Sequence, residues 1–514
     1  MADVLLTHSY HLPYDRKQVL KQQPYPPLGT LYAASFLRDN GVSVSVFDTM
    51  LNDPAVGFRE ALRVHRPRIV AIYEDDFNFL TKMCLTRMRD VAWQMIEQTR
   101  TFGARVLVHG SDATDHALDY LAHGADFVLM GAADGTLLDV VRTLARNADP
   151  SGIPGVVSRR SPEGRPLVPA PQPRAVASLT QTTLPARDLI DIEQYRDAWL
   201  SAHDHFSLNM VASRGCPFRC NWCAKPIFGS SFSLRPAAEV ALEMQTLKQE
   251  YQADHLWFAD DIFALNRQWA QDLATEVERR NCAVPFKVQA RADLLTLETV
   301  QALRRAGCAE VWMGVESGSQ KILDAMDKGL KVEEVITARR RLEREGIRAG
   351  YFLQFGYPGE SWDDIKKTIT LVRETRPDDI GVSFSYPLPN TKFYERVREQ
   401  LGSKRNWSDS DDLCVMFRGT YSDQFYRSIR DALHAEVDSW RRPDGGSIPP
   451  ALAPQQDDLR ELWRQIELAE PVSGNANPTE LTKLTNNGPA SSRDPHSETE
   501  SASMQDLFPS PREA

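Results

Sequence analysis

The chain has 514 residues, 25% of them charged, and acidic residues outnumber basic ones to leave a formal charge of −10. That length predicts roughly two to four domains, each with its own core, and the acidic balance argues against general nucleic-acid binding, which relies on basic stripes. No apolar run approaches the ~18 residues of a membrane span. The N-terminal Met1-Ala2-Asp3-Val4-Leu5-Leu6 runs into an apolar strand without a basic leader. Seven cysteines, an odd number with three in one loop, do not read as a secreted disulfide framework. A reducing cytoplasm is the expected compartment.

Residues 1–150 alternate short apolar runs with amphipathic stretches. Strands are expected at Asp3–Thr7, Val42–Phe47, Arg68–Tyr73, Arg105–His109 and Asp126–Met130, with helices near 29–40, 56–65, 80–101, 113–123 and 135–146. Continuously apolar strands between helices predict a doubly wound, flavodoxin-like α/β sheet. Ligands on such sheets bind outside the carboxyl ends of the strands. Gly29, Gly110, Ser111 and the segment from Gly131 to Thr136 would lie there; each glycine alone is equally an ordinary turn residue.

Residues 151–206 change character, and the proline-rich stretch from Pro166 to Pro173 reads as a surface connector. A second alternating region occupies 207–395, with strands expected at Leu208–Ala212, His255–Ala259, Phe286–Ala290, Glu310–Val315, Tyr351–Phe355 and Gly381–Tyr386. Six βα units in this span predict a partial barrel, a (β/α)6 arrangement that stays open where a full barrel closes. Residues 396–470 form a small, mainly helical cap, and the Ser-, Asn- and Pro-rich segment 471–514 is expected to be disordered.

Immediately after the first strand of the second region comes Cys216-Pro-Phe-Arg-Cys220-Asn-Trp-Cys223, preceded by Arg214-Gly215. Thiolates are soft ligands suited to iron–sulfur clusters or zinc. Three thiolates from one loop can hold three irons of a cubane and leave the fourth open to a substrate. The alternative is a zinc site completed by His203 or His205, although structural zinc sites usually pair two cysteine knuckles. Cys84, Cys282, Cys308 and Cys414 are scattered singly and form no second knuckle; single cysteines in apolar surroundings are usually small core residues. A loop at a strand's C-terminal end sits where barrel chemistry is normally built.

With Trp222 just before its last cysteine, this loop resembles that of the radical S-adenosylmethionine (SAM) enzymes. The resemblance continues in order through Phe258-Ala-Asp260-Asp261-Ile-Phe263, Gln289-Ala-Arg291-Ala-Asp293, Gly314-Val-Glu316-Ser317-Gly318, Phe355-Gly356-Tyr-Pro358-Gly359-Glu360 and Tyr386-Pro387-Leu-Pro389-Asn390-Thr391. The N-terminal sheet resembles the cobalamin-binding domain that precedes this barrel in the B12-type branch, so the likeness spans most of residues 1–435.

The resemblance implies that Cys216, Cys220 and Cys223 ligate three irons of a 4Fe-4S cluster whose fourth iron chelates SAM. One electron would then split the sulfonium into methionine and a 5′-deoxyadenosyl radical. Glu316 and Ser317 match a strand-end pair that contacts the SAM ribose or methionine portion. Asp260 and Asp261 match polar contacts to its ammonium group. Arg291 would pair with the SAM carboxylate, or form a salt bridge with Asp260 or Asp293. Gly356 would shape the backbone near the adenosine, Trp222 would pack near the adenine, and Tyr386 stands where relatives carry a Pro-Gly-Thr segment. The cobalamin expectation meets two departures. No Asp-x-His-x-x-Gly motif occurs, and Gly131-Ala-Ala-Asp134-Gly-Thr136 replaces a common Gly-Glu-Gly-Glu.

The family reading implies cobalamin-dependent methylation of an unactivated carbon in a small-molecule substrate, with an electron donor such as flavodoxin or ferredoxin. A cyclase or rearrangement enzyme like the anaerobic magnesium-protoporphyrin ester cyclase shares this domain order. A methylthiotransferase would carry further N-terminal cysteines, where residues 1–150 offer only Cys84. A non-catalytic iron–sulfur scaffold would bind metal yet never cleave SAM.

Overall fold

The computed structural model describes residues 3–78, 85–158, 184–402, 406–408, 415–440 and 456–473. The expectations for Cys84, Cys414, the proline-rich stretch 166–173 and the tail beyond 473 lie outside the described residues.

The chain builds two six-stranded sheets. The first comprises β1 (Val4–Thr7), β2 (Val44–Phe47), β3 (Ile69–Tyr73), β4 (Arg105–His109), β5 (Phe127–Leu129) and β6 (Val156–Ser158), in the order β2-β1-β3-β4-β5-β6. Strands β1 to β5 are parallel in the flavodoxin-like order. Val4, Leu5, Leu6 and the whole of β3 are buried because helices cover both faces, the situation that selects continuously apolar strands. Edge strand β2 is only half-buried.

The second region contains β7 (Ser207–Met210), a two-stranded ribbon of β8 (Ser213–Arg214) and β9 (Ser233–Leu234), then β10 (His255–Phe258), β11 (Phe286–Ala290), β12 (Cys308–Glu316), β13 (Arg348–Phe355) and β14 (Asp379–Phe384). Its sheet runs β14-β13-β12-β11-β10-β7, all parallel, and stays open between β7 and β14. This is the expected partial barrel. Cys282 and Cys308 are buried in its core.

Several elements differ from the sequence expectation. The helix expected over 80–101 runs Thr86–Phe102 among the described residues. The one expected over 113–123 breaks at His116 into Ser111–Asp115 and Ala117–His123. Both ends of the expected connector are structured. Strand β6 pairs antiparallel with β5. Helix Ile192–Ala202 starts at Asp191, whose carboxylate accepts from the Glu193 amide, and buries Ile192, Tyr195, Ala198 and Trp199 in the barrel core. In the expected cap, helix Asp423–Asp438 packs beside β14 through Phe425, Ile429 and Leu433. It thus serves as the outer helix of the last strand.

Candidate active site

The cysteine loop is the excursion between β8 and β9. Gly215 opens it at φ +80°, and a side chain there would collide with the Ser231 carbonyl, so only glycine fits. Lys225 then folds the loop back by donating to the carbonyl oxygens of Cys216, at 2.9 Å, and Phe218. Asn221 docks the loop onto the barrel. Its amide NH and side-chain NH₂ donate to the carbonyls of Met326 (3.0 Å) and Ala325 (2.8 Å), and its side-chain oxygen accepts from the Tyr357 hydroxyl (3.0 Å).

Cys216, Cys220 and Cys223 are free and half-buried on this loop. Burial, with the charge of Asp261 beside it, pushes the Cys216 thiol up and that of Cys223 to about 12. A bare thiolate is disfavoured here, and a bound metal offsets that cost because a coordinating thiol is deprotonated outright. Three free thiols on one short loop make a donor set that fits an iron–sulfur cluster. Among the described residues no group of three His, Cys, Asp or Glu side chains converges on a single-ion position; in a cubane each thiolate takes its own iron. The zinc alternative is not built. His203 donates to the carbonyls of Lys21 or Gln22, and His205 sits against Asp204. Both precede β7, whereas the loop follows that strand's other end.

Around the loop the structure gathers Trp222, Tyr386, Glu316 and Arg291. Trp222 meets Tyr386 edge-on at 6.1 Å, and Tyr386 is buried between it and Trp407. Glu316 ends β12 at φ +62°, beside a β-bulge. This is a costly conformation for a non-glycine residue. Its carboxylate accepts from Lys328 at 2.7 Å, both groups being buried, and Lys328 lies 6.0 Å over the Trp222 ring. Arg291 covers the Phe218 ring at 3.9 Å. Its guanidinium is engaged by Asp293 and by the carbonyls of Lys328 and Gly329, not by Asp260.

Other expected residues face elsewhere. Asp260 is buried and accepts from the Ala212 amide and the Ser213 hydroxyl, with burial pushing its carboxyl up to about 7. Ser317 turns towards Thr368, 3.2 Å away. The Gly356 amide donates to Glu360, and the Gly356 backbone packs against Val415 and Tyr426.

The first sheet presents its carboxyl edge to the cysteine loop. Gly131 faces the Ile227 carbonyl, and Leu28, Tyr32 and Phe77 share one apolar cluster with Val211, Ile227 and Phe228. Asp134, half-buried, accepts from Tyr73 at 2.7 Å and from Arg214, two residues ahead of Cys216, at 2.6 Å. The Gly29 amide donates to Asp75, Gly110 abuts the Glu74 side chain, and Ser111 and Thr136 are buried at the same edge. Asn221, Lys225, Lys328 and Arg214 escaped the sequence reading. All of these but Lys328 lie inside or beside the cysteine motif, the one signal that could have pointed to them.

Residues 210–372 match the family model described as the Radical SAM superfamily. The chain is 24% identical over 416 residues to an uncharacterized methyltransferase of Pyrococcus horikoshii, covering 79% of this chain and 86% of that one. It is 23% identical over 386 residues to the anaerobic magnesium-protoporphyrin IX monomethyl ester cyclase of Rubrivivax gelatinosus, covering 73% and 67%. Its fold is similar to that of the radical S-adenosylmethionine methyltransferase TsrM from Kitasatospora setae, solved with cobalamin and a 4Fe-4S cluster bound. The TM-score is 0.63 at 19% identity, with 78% of each chain covered.

Proposed function

We infer that this chain, whose residues 210–372 form a radical SAM domain, is a SAM-dependent radical enzyme that methylates a carbon with the help of cobalamin. The observation that carries this reading is the meeting of two carboxyl-end edges. The cysteine loop over the barrel mouth abuts the strand ends of the first sheet through Arg214–Asp134 and Gly131–Ile227. In open α/β sheets and in barrels alike, that edge is where ligands bind.

Cys216, Cys220 and Cys223 are the three ligands assigned to a 4Fe-4S cluster. When bound, the cluster supplies the electron that splits the sulfonium of SAM, and cobalamin supplies a methyl carrier. The chain's own groups position and shield. Lys225 and Asn221 fix the loop, while Trp222 and Tyr386 exclude water from its barrel side. Glu316, aimed by the bulge and held by Lys328, is the carboxylate assigned to the ribose or ammonium of SAM. Arg291, already engaged by Asp293, is assigned to holding residues 328–329 in place. For cobalamin, the fit rests on Asp76, three residues beyond the end of β3. Its Oδ1 is buried without a partner, an acceptor suited to the amide groups that rim a corrinoid. The likeness to TsrM extends over most of this chain and supports the same reading.

Among the described residues no helix is long and apolar enough to cross a membrane. We assign a small-molecule substrate, a flavodoxin- or ferredoxin-type electron donor and a reducing, cytoplasmic setting, in keeping with free thiols kept for a cluster.

The test is anaerobic reconstitution with iron, sulfide and hydroxocobalamin, followed by SAM and reductant. 5′-Deoxyadenosine and S-adenosylhomocysteine are then quantified by mass spectrometry. We expect both products, with S-adenosylhomocysteine dependent on cobalamin and both lost in the Cys216→Ala/Cys220→Ala/Cys223→Ala variant. Deoxyadenosine without cobalamin-dependent S-adenosylhomocysteine favours the second reading, a radical cyclase, which the similarity to the Rubrivivax enzyme supports. Neither product from protein with a verified cluster overturns both.

A further inference from the structure

Strands β10, β11, β12 and β14 alternate between residues buried against the helical layer and residues left half-buried on the opposite face. The half-buried set surrounds a cavity of about 920 Å³ inside the partial barrel. That volume suits a ligand of several rings.

One wall is a built aromatic surface. Trp312 of β12 lies opposite Gly350 of β13, and Phe352 lies opposite Gly381 of β14. A Cβ on Gly350 would fall 2.5 Å from the Trp312 ring, and one on Gly381 would crowd both rings. The glycines let the two rings spread flat across neighbouring strands, 4.8 Å apart and tilted by 32°. Towards β10 and β11, Tyr25 and Trp257 pack 4.7 Å apart, and the Lys287 ammonium lies 5.6 Å from each ring centre.

The lining holds five cationic side chains, Lys21 and Lys287 among them, against the three carboxylates of Glu310, Asp379 and Asp438, a cationic excess. Burial and the charges of Lys17 and Lys287 hold Lys21 below its ordinary range, while burial and then Lys287 push His255 down to about 3, so that imidazole is neutral. The Glu310 carboxylate on the lining is already taken by Arg348 and the Trp312 ring NH. An entering anion meets ammonium groups, and an entering aromatic ring meets faces on which it can stack.

We propose that the barrel lumen binds a planar aromatic or conjugated anion, its rings on Trp312 and Phe352 and its anionic group drawn to Lys287. Binding requires neither cluster nor SAM, and the proposal stands independently of the radical SAM reading. Trp312 precedes Glu316 by four strand residues, about 13 Å. The cavity is lined at the amino-terminal ends of the strands, by His255, Glu310, Arg348 and Asp379, and by no residue of the cysteine loop, so it is a ligand site apart from that loop.

Calorimetric titration of the full chain with 2-naphthoate and with the neutral 2-naphthamide tests it. We expect saturable naphthoate binding at least ~10-fold tighter than that of the amide. Lys287→Gln should erase that preference while retaining the amide, and Trp312→Leu should weaken both ligands ~10-fold. Lys287 is half-buried at a lumen position, so its variant decides the matter even if Trp312→Leu fails to fold. No saturable binding, equal affinities in the wild type, a preference that survives Lys287→Gln or affinities unmoved in folded Trp312→Leu overturns the proposal. Failure here with deoxyadenosine still formed sinks this inference alone, whereas naphthoate binding without SAM cleavage sinks the enzyme reading alone.

Discussion

Asn221 sits between the second and third loop cysteines, yet none of its work is done on a metal. Its side chain joins the loop to the Ala325 carbonyl and the Tyr357 hydroxyl, and its backbone donates to Met326 and accepts from Phe393. Asn221 thus ties the loop that carries all three thiols to the barrel at several points. Asn221→Ala removes three side-chain hydrogen bonds, those donated to the Ala325 carbonyl and the Asp327 carboxylate and the one accepted from Tyr357, and leaves the Tyr357 hydroxyl with the Ala325 carbonyl and Arg396. The expected cost is about 1–3 kcal/mol. The loop should suffer more than the fold as a whole. After reconstitution the iron bound per chain should fall at least twofold, while the melting temperature drops only slightly. Full iron loading in the variant would show that the thiols need no such anchor.

At the scale of elements, the long barrel strands owe their register to side chains that neighbours must avoid. Gly350 gives way to the Trp312 ring across the β12–β13 pair. Gly350→Ala therefore overpacks this seam, and we expect a loss of ~1–3 kcal/mol in urea unfolding. Gly350→Ala combined with Trp312→Leu should recover most of it, since the clash needs both partners. The strand pattern itself was legible in the sequence. Runs such as Val4-Leu5-Leu6 and Ile69-Val-Ala-Ile72 are apolar because both their faces are covered. The alternation in Phe286-Lys-Val-Gln-Ala290 records one covered face and one lumen face. Ribbon β8–β9 was not legible, because two residues per strand carry no periodicity. Strand β6 was missed for a similar reason, since three residues pair antiparallel at a sheet edge without a helix to mark them. Within the site, the cysteines were readable because their spacing is local. The Glu316 ammonium partner lies 12 residues away, the loop's Ala325 anchor 104 and the Arg214 carboxylate partner 80, and no spacing rule reaches that far.

For the whole molecule, the pairing of Asp134 with Arg214 is the polar tie between the first sheet and the residues that lead into the cysteine loop. Arg214 also lies over the rings of Tyr32, Phe77 and Phe228, so its charge is sealed in an aromatic box spanning both halves. Burial alone would raise the Asp134 carboxyl. The Arg214 charge and the bonds from Arg214 and Tyr73 outweigh it and hold Asp134 below the usual carboxylate range. A depressed carboxylate contributes stability that is complete above its unfolded value and lost as the pH falls below it towards the folded value. Acidification below about pH 4 should therefore weaken the junction. At neutral pH Asp134→Asn leaves a buried guanidinium without its counter-charge, which costs ~3–5 kcal/mol when a buried pair loses one member. The pair ties the first sheet to the residues before the cysteine loop, beside a core that Tyr10, Leu12, Tyr25, Met50 and Leu51 of the first half share with the barrel, so the loss should fall on the association of the two halves. Calorimetry of the variant at pH 7 should resolve two thermal transitions where the wild type gives one, and wild-type protein below pH 4 should approach that profile. A single, unshifted transition in Asp134→Asn would mean that the other contacts, among them the apolar cluster of Leu28, Phe77, Ile227 and Phe228 and the bonds of Asn209 to the Pro26 carbonyl and Tyr195 to Asp48, hold the two halves together without this pair.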